Sequence, residues 1–172
     1  GFYSPLSIVR QVTEANGQLL SHFPFAVRQA ASNDSIYLLQ HEMRLVASEG
    51  TARGVYRYLP KQQKVAAKTG TTNDQKDSWF AGFSGQHVAT VWLGREDAKP
   101  TPLTGAGGAL NVWGQLMQNL AYVNYADIKP QSIDYYHLNA STGEAIPDNC
   151  PNGVLLPMLK TSAPTFITTC GY

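Results

Sequence analysis

Residues 64–94 constrain the fold more than any other stretch: "KVAAKTGTTNDQKDSWFAGFSGQHVATVWLG". Three strand-like runs, at about 64–72, 78–84 and 87–94, follow one another with short polar connections. "SWFAGF" and "HVATVWLG" are aromatic and β-branched, and such side chains suit a pleated, half-buried surface. Ser84-Gly85-Gln86 is the whole link between the last two runs. A parallel crossover needs a dozen or more residues, so these strands are expected to be antiparallel neighbours.

A sheet of this kind needs a cover. Leu110, Trp113, Leu116, Met117 and Leu120 recur at helical spacing, which predicts a helix over about 106–121 packed on the sheet. A second helix is predicted over 35–47 from Ile36, Leu39, Met43 and Val46, with Ser32-Asn33-Asp34 as capping residues and Gly50 as its stop. Before it, residues 5–24 predict a β-hairpin around Asn16-Gly17, because both residues tolerate positive φ. The fold class is therefore α+β, an antiparallel sheet flanked by helices.

The chain changes character after residue 121. "IDYYHLNASTGEAI" predicts a small hairpin around Ser141-Thr142-Gly143, and the Pro- and Thr-rich remainder reads as an irregular tail. The expected organisation is a sheet-and-helix unit over 1–121 and a tail over 122–172. Cys150 and Cys170 bracket part of that tail and read as a disulfide closing a loop, which implies an oxidising compartment.

Of the 172 residues, 43% are hydrophobic and 15% charged, enough to bury a core and too few charges for a disordered chain. Net charge is +1 with no Lys/Arg cluster, so nothing points to nucleic acid. The apolar runs are too short to span a membrane. His22, His41, His87 and His137 have no ligand spacing, so neither a metal nor a cofactor is expected. Trp79, Phe80, Trp92 and Trp113 are assigned to the core, and Asp74, Lys76 and Asp77 to a solvated loop.

Chemistry concentrates on Val65–Thr72. Taken alone, Lys-Thr-Gly-Thr is a strand running into a turn. As an edge strand it offers more. Its free N–H and C=O groups can pair with an extended peptide. Gly70 lets a ligand lie close. Lys68 with the hydroxyls of Thr69 and Thr71 suits a carboxylate. An N–H just after the glycine suits an oxyanion.

"AAKTGTTNDQKDSWFAGFSG" followed by "VATVWLGRED" closely resembles the C-terminal part of the transpeptidase domain of class A (bifunctional) penicillin-binding proteins. The resemblance covers about residues 1–121 and is specific at 64–97. It implies a β-lactamase/transpeptidase-like fold. It also implies a serine enzyme that cross-links peptidoglycan stem peptides ending in D-Ala-D-Ala and is acylated by β-lactams. That superfamily carries three boxes, Ser-x-x-Lys, Ser-x-Asn and Lys-Thr-Gly. Carried onto this sequence, the third box gives Lys68 and the Thr71 N–H catalytic roles. Thr69, Gly70, Thr71 and Thr72 become substrate-binding residues. The family further implies a glycosyltransferase domain and a membrane anchor upstream, the periplasmic face of the inner membrane, and an outer-membrane lipoprotein activator. The paired tail cysteines resemble the 1B subtype.

No serine in this chain is followed three residues on by lysine, so the first box is absent. Ser32-Asn33-Asp34 does not replace the second box, because position 34 is aspartate and the triplet caps a helix. The expectation is a C-terminal half whose first two boxes lie on a preceding segment. Two other readings stay open: a piece of a serine β-lactamase or D,D-carboxypeptidase, and a non-catalytic β-lactam-binding or interaction module. Thr71-Thr72-Asn73 and the Trp-Phe-Ala-Gly strand favour the transpeptidase.

Overall fold

A computed structural model describes residues 1–120, 123–151 and 153–170. The chain opens with four short strands, β1 (Phe2–Tyr3), β2 (Gln11–Thr13), β3 (Leu19–His22) and β4 (Arg28–Gln29). β2 and β3 form the predicted hairpin, with Gly17 at φ 88 in its turn. It is shorter than residues 5–24, since Pro5 and Pro24 have no N–H to give a ladder. β1 pairs instead with β4. This region adds nothing to the main core: Leu6 and Ile8 are essentially fully exposed.

Helix α1 runs over Asn33–Ser48, and Ser32 caps it by accepting the Ser35 N–H at 3.1 Å. The expected apolar face needs correction. Tyr37 and Ala47 are its buried residues, Ile36, Met43 and Val46 are half-buried, and Leu39 faces out. Tyr37 turns inward because its hydroxyl meets that of Tyr135, 2.8 Å away. A 3-10 turn over Arg53–Arg57 then drops Val55 into the core.

The central sheet has the order β5-β6-β7, all antiparallel, with β5 at Ala66–Thr71, β6 at Asp77–Ser84 and β7 at His87–Gly94. Alternation divides its side chains between two faces. Ser78, Phe80 and Gly82 of β6 point to the buried face, while Trp79 points out. Helix α2 (Ala109–Gln118) covers the buried face through Leu110, Trp113, Gly114 and Met117, an i, i+3, i+4, i+7 stripe. Leu116 and Leu120, predicted on that face, lie off the stripe and are exposed. Gly114 takes the place expected of Leu116 because the Tyr58 ring occupies the space a side chain would need. The aromatics expected in the core divide between the two faces of the sheet. Phe80 and Trp113 are fully buried, but Trp79 and Trp92 are 43% and 48% exposed on the outer face, since period two places them opposite Phe80.

The tail is more regular than its composition suggested. β8 (Ile133–Asn139) pairs along its whole length with β9 (Gly153–Leu159). Each strand of a two-stranded sheet is an edge, so Pro157 is tolerated there. The turn predicted at 141–143 is present, with Gly143 at φ 74 and Asn139 Oδ1 accepting the Ser141 N–H at 2.8 Å. It leads only to an isolated bridge between Leu138 and Ala145. Cys150 and Cys170 are joined, with Cα atoms 5.3 Å apart and a sequence separation of 20. In the chain-entropy account, a loop of that size gains about 3 kcal/mol from the link.

The expected boundary between residues 121 and 122 lies outside the described residues. Beyond it, Asp127 fastens the tail to the body. It accepts from Arg44 at 2.6 Å and Lys64 at 3.1 Å, while the Lys64 N–H donates to Asn124 Oδ1 at 2.7 Å. Burial raises the Asp127 carboxyl, but the two cations outweigh it and hold it below its usual range. Lys64 lies two residues before β5, so this latch sits at the start of the strand that carries Lys68.

Candidate active site

Among the described residues no strand pairs with the outer edge of β5. The register decides which backbone groups that edge presents. In an antiparallel pair, alternate residues exchange both hydrogen bonds with the partner. The Thr72 N–H donates to Asp77 O, and Gly70 lies opposite Trp79, so Gly70 and Lys68 belong to the hydrogen-bonded set. The backbone groups of Thr69 and Thr71 therefore point away from β6, to the open edge. The Thr71 N–H faces an incoming peptide there, beside the Thr69 C=O, which already accepts from Lys68 Nζ.

The side chains divide differently. Thr69 and Thr71 share the face of Phe80 and Ser78, whereas Lys68 and Gly70 share the outer face with Ala81 and Trp79. The residues nominated from sequence thus stand together at one edge, but the lysine and the two hydroxyls leave it on opposite sides. Lys68 is exposed, and its Nζ donates to the Thr69 carbonyl at 2.8 Å. A Cβ on Gly70 would come within 3.1 Å of the Trp79 Cβ, so the missing side chain makes room for Trp79. Thr72 has a structural task. Its hydroxyl donates to the Asp77 carboxylate at 3.0 Å and accepts the Asp77 N–H at 2.8 Å, closing the turn into β6. Asp77 also accepts from Trp92 Nε1 at 2.9 Å, so it belongs to the structure and not to a merely solvated loop.

Each of the two remaining hydroxyls has a neighbour that the sequence reading did not single out. The Gly105 N–H donates to Thr71 Oγ1 at 2.8 Å. An N–H can only donate, so the hydroxyl proton of Thr71 stays available to a ligand. Gly105 reaches this position because it lies flat on the β5–β6 backbone: a Cβ there would be 2.6 Å from Gly70 O and 2.7 Å from Trp79 O. The glycine-rich "TGAGG" was the available signal for such an approach. Thr51 Oγ1 lies 2.8 Å from Thr69 Oγ1. Nothing in the sequence marked Thr51, since the contact joins residues 18 apart. Next to them a cleft of about 770 Å³ opens, lined by Glu49, Thr51, Arg53, Arg57, Ala106 and Leu110 among others.

No family model matches the chain. Penicillin-binding protein 1B of Vibrio cholerae is 37% identical over 161 residues, which is 92% of this chain and 20% of that protein. This chain is a homologue of the class A penicillin-binding proteins. Penicillin-binding protein 1B of Escherichia coli is 37% identical over 141 residues, covering 78% of the chain and 16% of that protein. Penicillin-binding protein 1A of Clostridium acetobutylicum is 31% identical over 125 residues. The chain thus spans a fifth or less of these relatives. The 2.6 Å crystal structure of penicillin-binding protein 1A from Haemophilus influenzae superposes with a TM-score of 0.79, covering 96% of this chain and 30% of that one. At 19% identity that likeness concerns the fold, which is the α+β fold expected from the sequence.

Proposed function

We propose that this chain is the Lys-Thr-Gly part of a serine D,D-transpeptidase that cross-links peptidoglycan stem peptides. The observation that supports the reading best is the open edge of β5. It presents the Thr71 N–H beside a hydroxyl that accepts from the Gly105 N–H and keeps its own proton for a ligand. A stem peptide ending in D-Ala-D-Ala would lie antiparallel to Ala66–Thr71. Its terminal carboxylate would take hydrogen bonds from the Thr69 and Thr71 hydroxyls. The carbonyl under attack would rest on the Thr71 N–H, where developing negative charge is stabilised. Lys68 supplies positive charge at the same edge. The serine nucleophile and its lysine would come from another segment of the protein. That serine displaces D-alanine to form an ester, and an amine from a neighbouring stem releases it. A β-lactam would be opened by the same serine and held through its own carboxylate.

In the same proposal, a glycosyltransferase domain, a membrane anchor and contact with an outer-membrane lipoprotein activator belong to other parts of the protein, at the periplasmic face of the inner membrane. The 1–121 unit carries the site and the 122–172 tail braces it through Asp127. Among the described residues no helix is long and apolar enough to cross a membrane.

Labelling with a fluorescent penicillin tests the reading. The pure 172-residue chain should give no covalent band, because it has no Ser-x-x-Lys. The whole protein should give a stoichiometric band that maps outside this segment. Stoichiometric labelling of the chain alone would overturn the division of the site, and an unlabelled whole protein would overturn the assignment as an enzyme.

A further inference from the structure

Lys68 leaves β5 on the side opposite the Thr69 and Thr71 hydroxyls, so the hydroxyl side needs its cation from elsewhere. The turn after α1 provides one. Thr51 Oγ1 is 2.8 Å from Thr69 Oγ1, and Thr51 and Arg53 line the same cleft. Arg53 is exposed, and its guanidinium has no partner among the described residues. Arg57, the other guanidinium there, is engaged: it donates to Asn111 Oδ1 at 2.9 Å and Gly54 O at 3.3 Å and lies against the Tyr58 ring. Glu49 also lines the cleft, so two guanidiniums stand against one carboxylate. Ala106 lines the same cleft and follows Gly105, whose N–H donates to Thr71 Oγ1.

We propose that the Thr51–Arg53 turn is part of the carboxylate-binding site: Arg53 is its cation and Thr51 a positioning residue for Thr69. The ligand class is a peptide or β-lactam carboxylate, and the proposal rests on the transpeptidase reading above. The chemistry follows from the hydroxyl pair. When Thr69 donates to Thr51, its proton is spent inside the protein. When Thr51 donates to Thr69, the Thr69 proton is released toward the cleft. A carboxylate accepts only, and so selects the second arrangement. Both hydroxyls then present protons to it, Thr71 through Gly105 and Thr69 through Thr51. A bond between a guanidinium and a carboxylate is charge-assisted and of the stronger kind.

The test uses the whole protein and two probes, benzylpenicillin and its methyl ester, which has no carboxylate. Saturation kinetics separate the dissociation constant of the first complex from the acylation rate constant. Arg53→Gln should weaken the first complex with the acid by roughly tenfold, as expected for one lost bond to a charge. It should leave the acylation rate constant and all ester kinetics unchanged. Thr51→Val should lower reaction with the acid, and Thr51→Ser should restore it. If Arg53→Gln impairs acid and ester equally, the residue acts through structure and the proposal fails. Wild-type behaviour of Arg53→Gln with the acid also overturns it, as does failure of Thr51→Ser to restore what Thr51→Val loses. A wild-type protein that forms no acyl-enzyme with either probe overturns the transpeptidase reading itself, and this inference with it.

Discussion

Thr69→Val in the whole protein should slow acylation by penicillin by about ten- to a hundredfold. The substitution keeps the β-branched shape and removes only the hydroxyl. A hydrogen bond to a charged partner contributes about 1.5–3 kcal/mol, which at 1.4 kcal/mol per factor of ten gives that range. Stability should change little, because the partner left behind, Thr51, is exposed to water. The second-order rate constant for acylation is the measurement. Thr161→Val, an exposed threonine in the tail, is the control and should acylate like the wild type. Should Thr69→Val also acylate at the wild-type rate, the carboxylate is not held by this residue.

Trp113→Ala should be the most damaging single change to the fold. Trp113 is fully buried, its ring centroid is 5.0 Å from that of Phe80, and its Nε1 donates to Ala89 O at 3.1 Å. The ring fits because residue 82 is glycine: a Cβ there would be 3.0 Å from Trp113 Cζ2. Emptying this site removes transfer free energy and leaves a cavity, at a cost of about 3–5 kcal/mol. That is a large share of the roughly 5–15 kcal/mol by which domains are stable. Leu116→Ala on the exposed side of α2 should cost about 1 kcal/mol or less. Urea unfolding followed by far-ultraviolet circular dichroism compares the two. Equal losses would mean that α2 presents a different face to the sheet.

What the sequence made legible was local. Three strands with two short links can only be antiparallel neighbours, and β5, β6 and β7 are. A serine before an amphipathic run caps a helix, and Ser32 does. The faces were harder to assign. Spacing alone admits Leu116 and, just past the end of α2, Leu120, but the buried stripe runs through Gly114, where the Tyr58 ring leaves no room for a side chain. Trp79 and Trp92 were assigned to the core by residue type, although strict alternation from Phe80 already placed them on the other side. β9 was hidden by Pro157, which marks a break in a central strand but not in a two-stranded edge. At the candidate site, Lys68, Thr69, Gly70 and Thr71 stand out because they are contiguous. Thr51 and Gly105 do not, since each reaches β5 across 18 or more residues of chain. The exposed apolar side chains of the first 30 residues have no explanation within the chain itself.

In the proposed function the open edge of β5 receives the carboxylate of an acylating ligand. A crystal structure of the whole protein acylated by benzylpenicillin tests it most directly. The carboxylate should lie within about 2.6–3.2 Å of both Thr69 Oγ1 and Thr71 Oγ1. The ligand should run antiparallel to Ala66–Thr71, with the acyl carbonyl oxygen on the Thr71 N–H. A carboxylate held elsewhere, with the edge of β5 covered or unoccupied, would contradict the account.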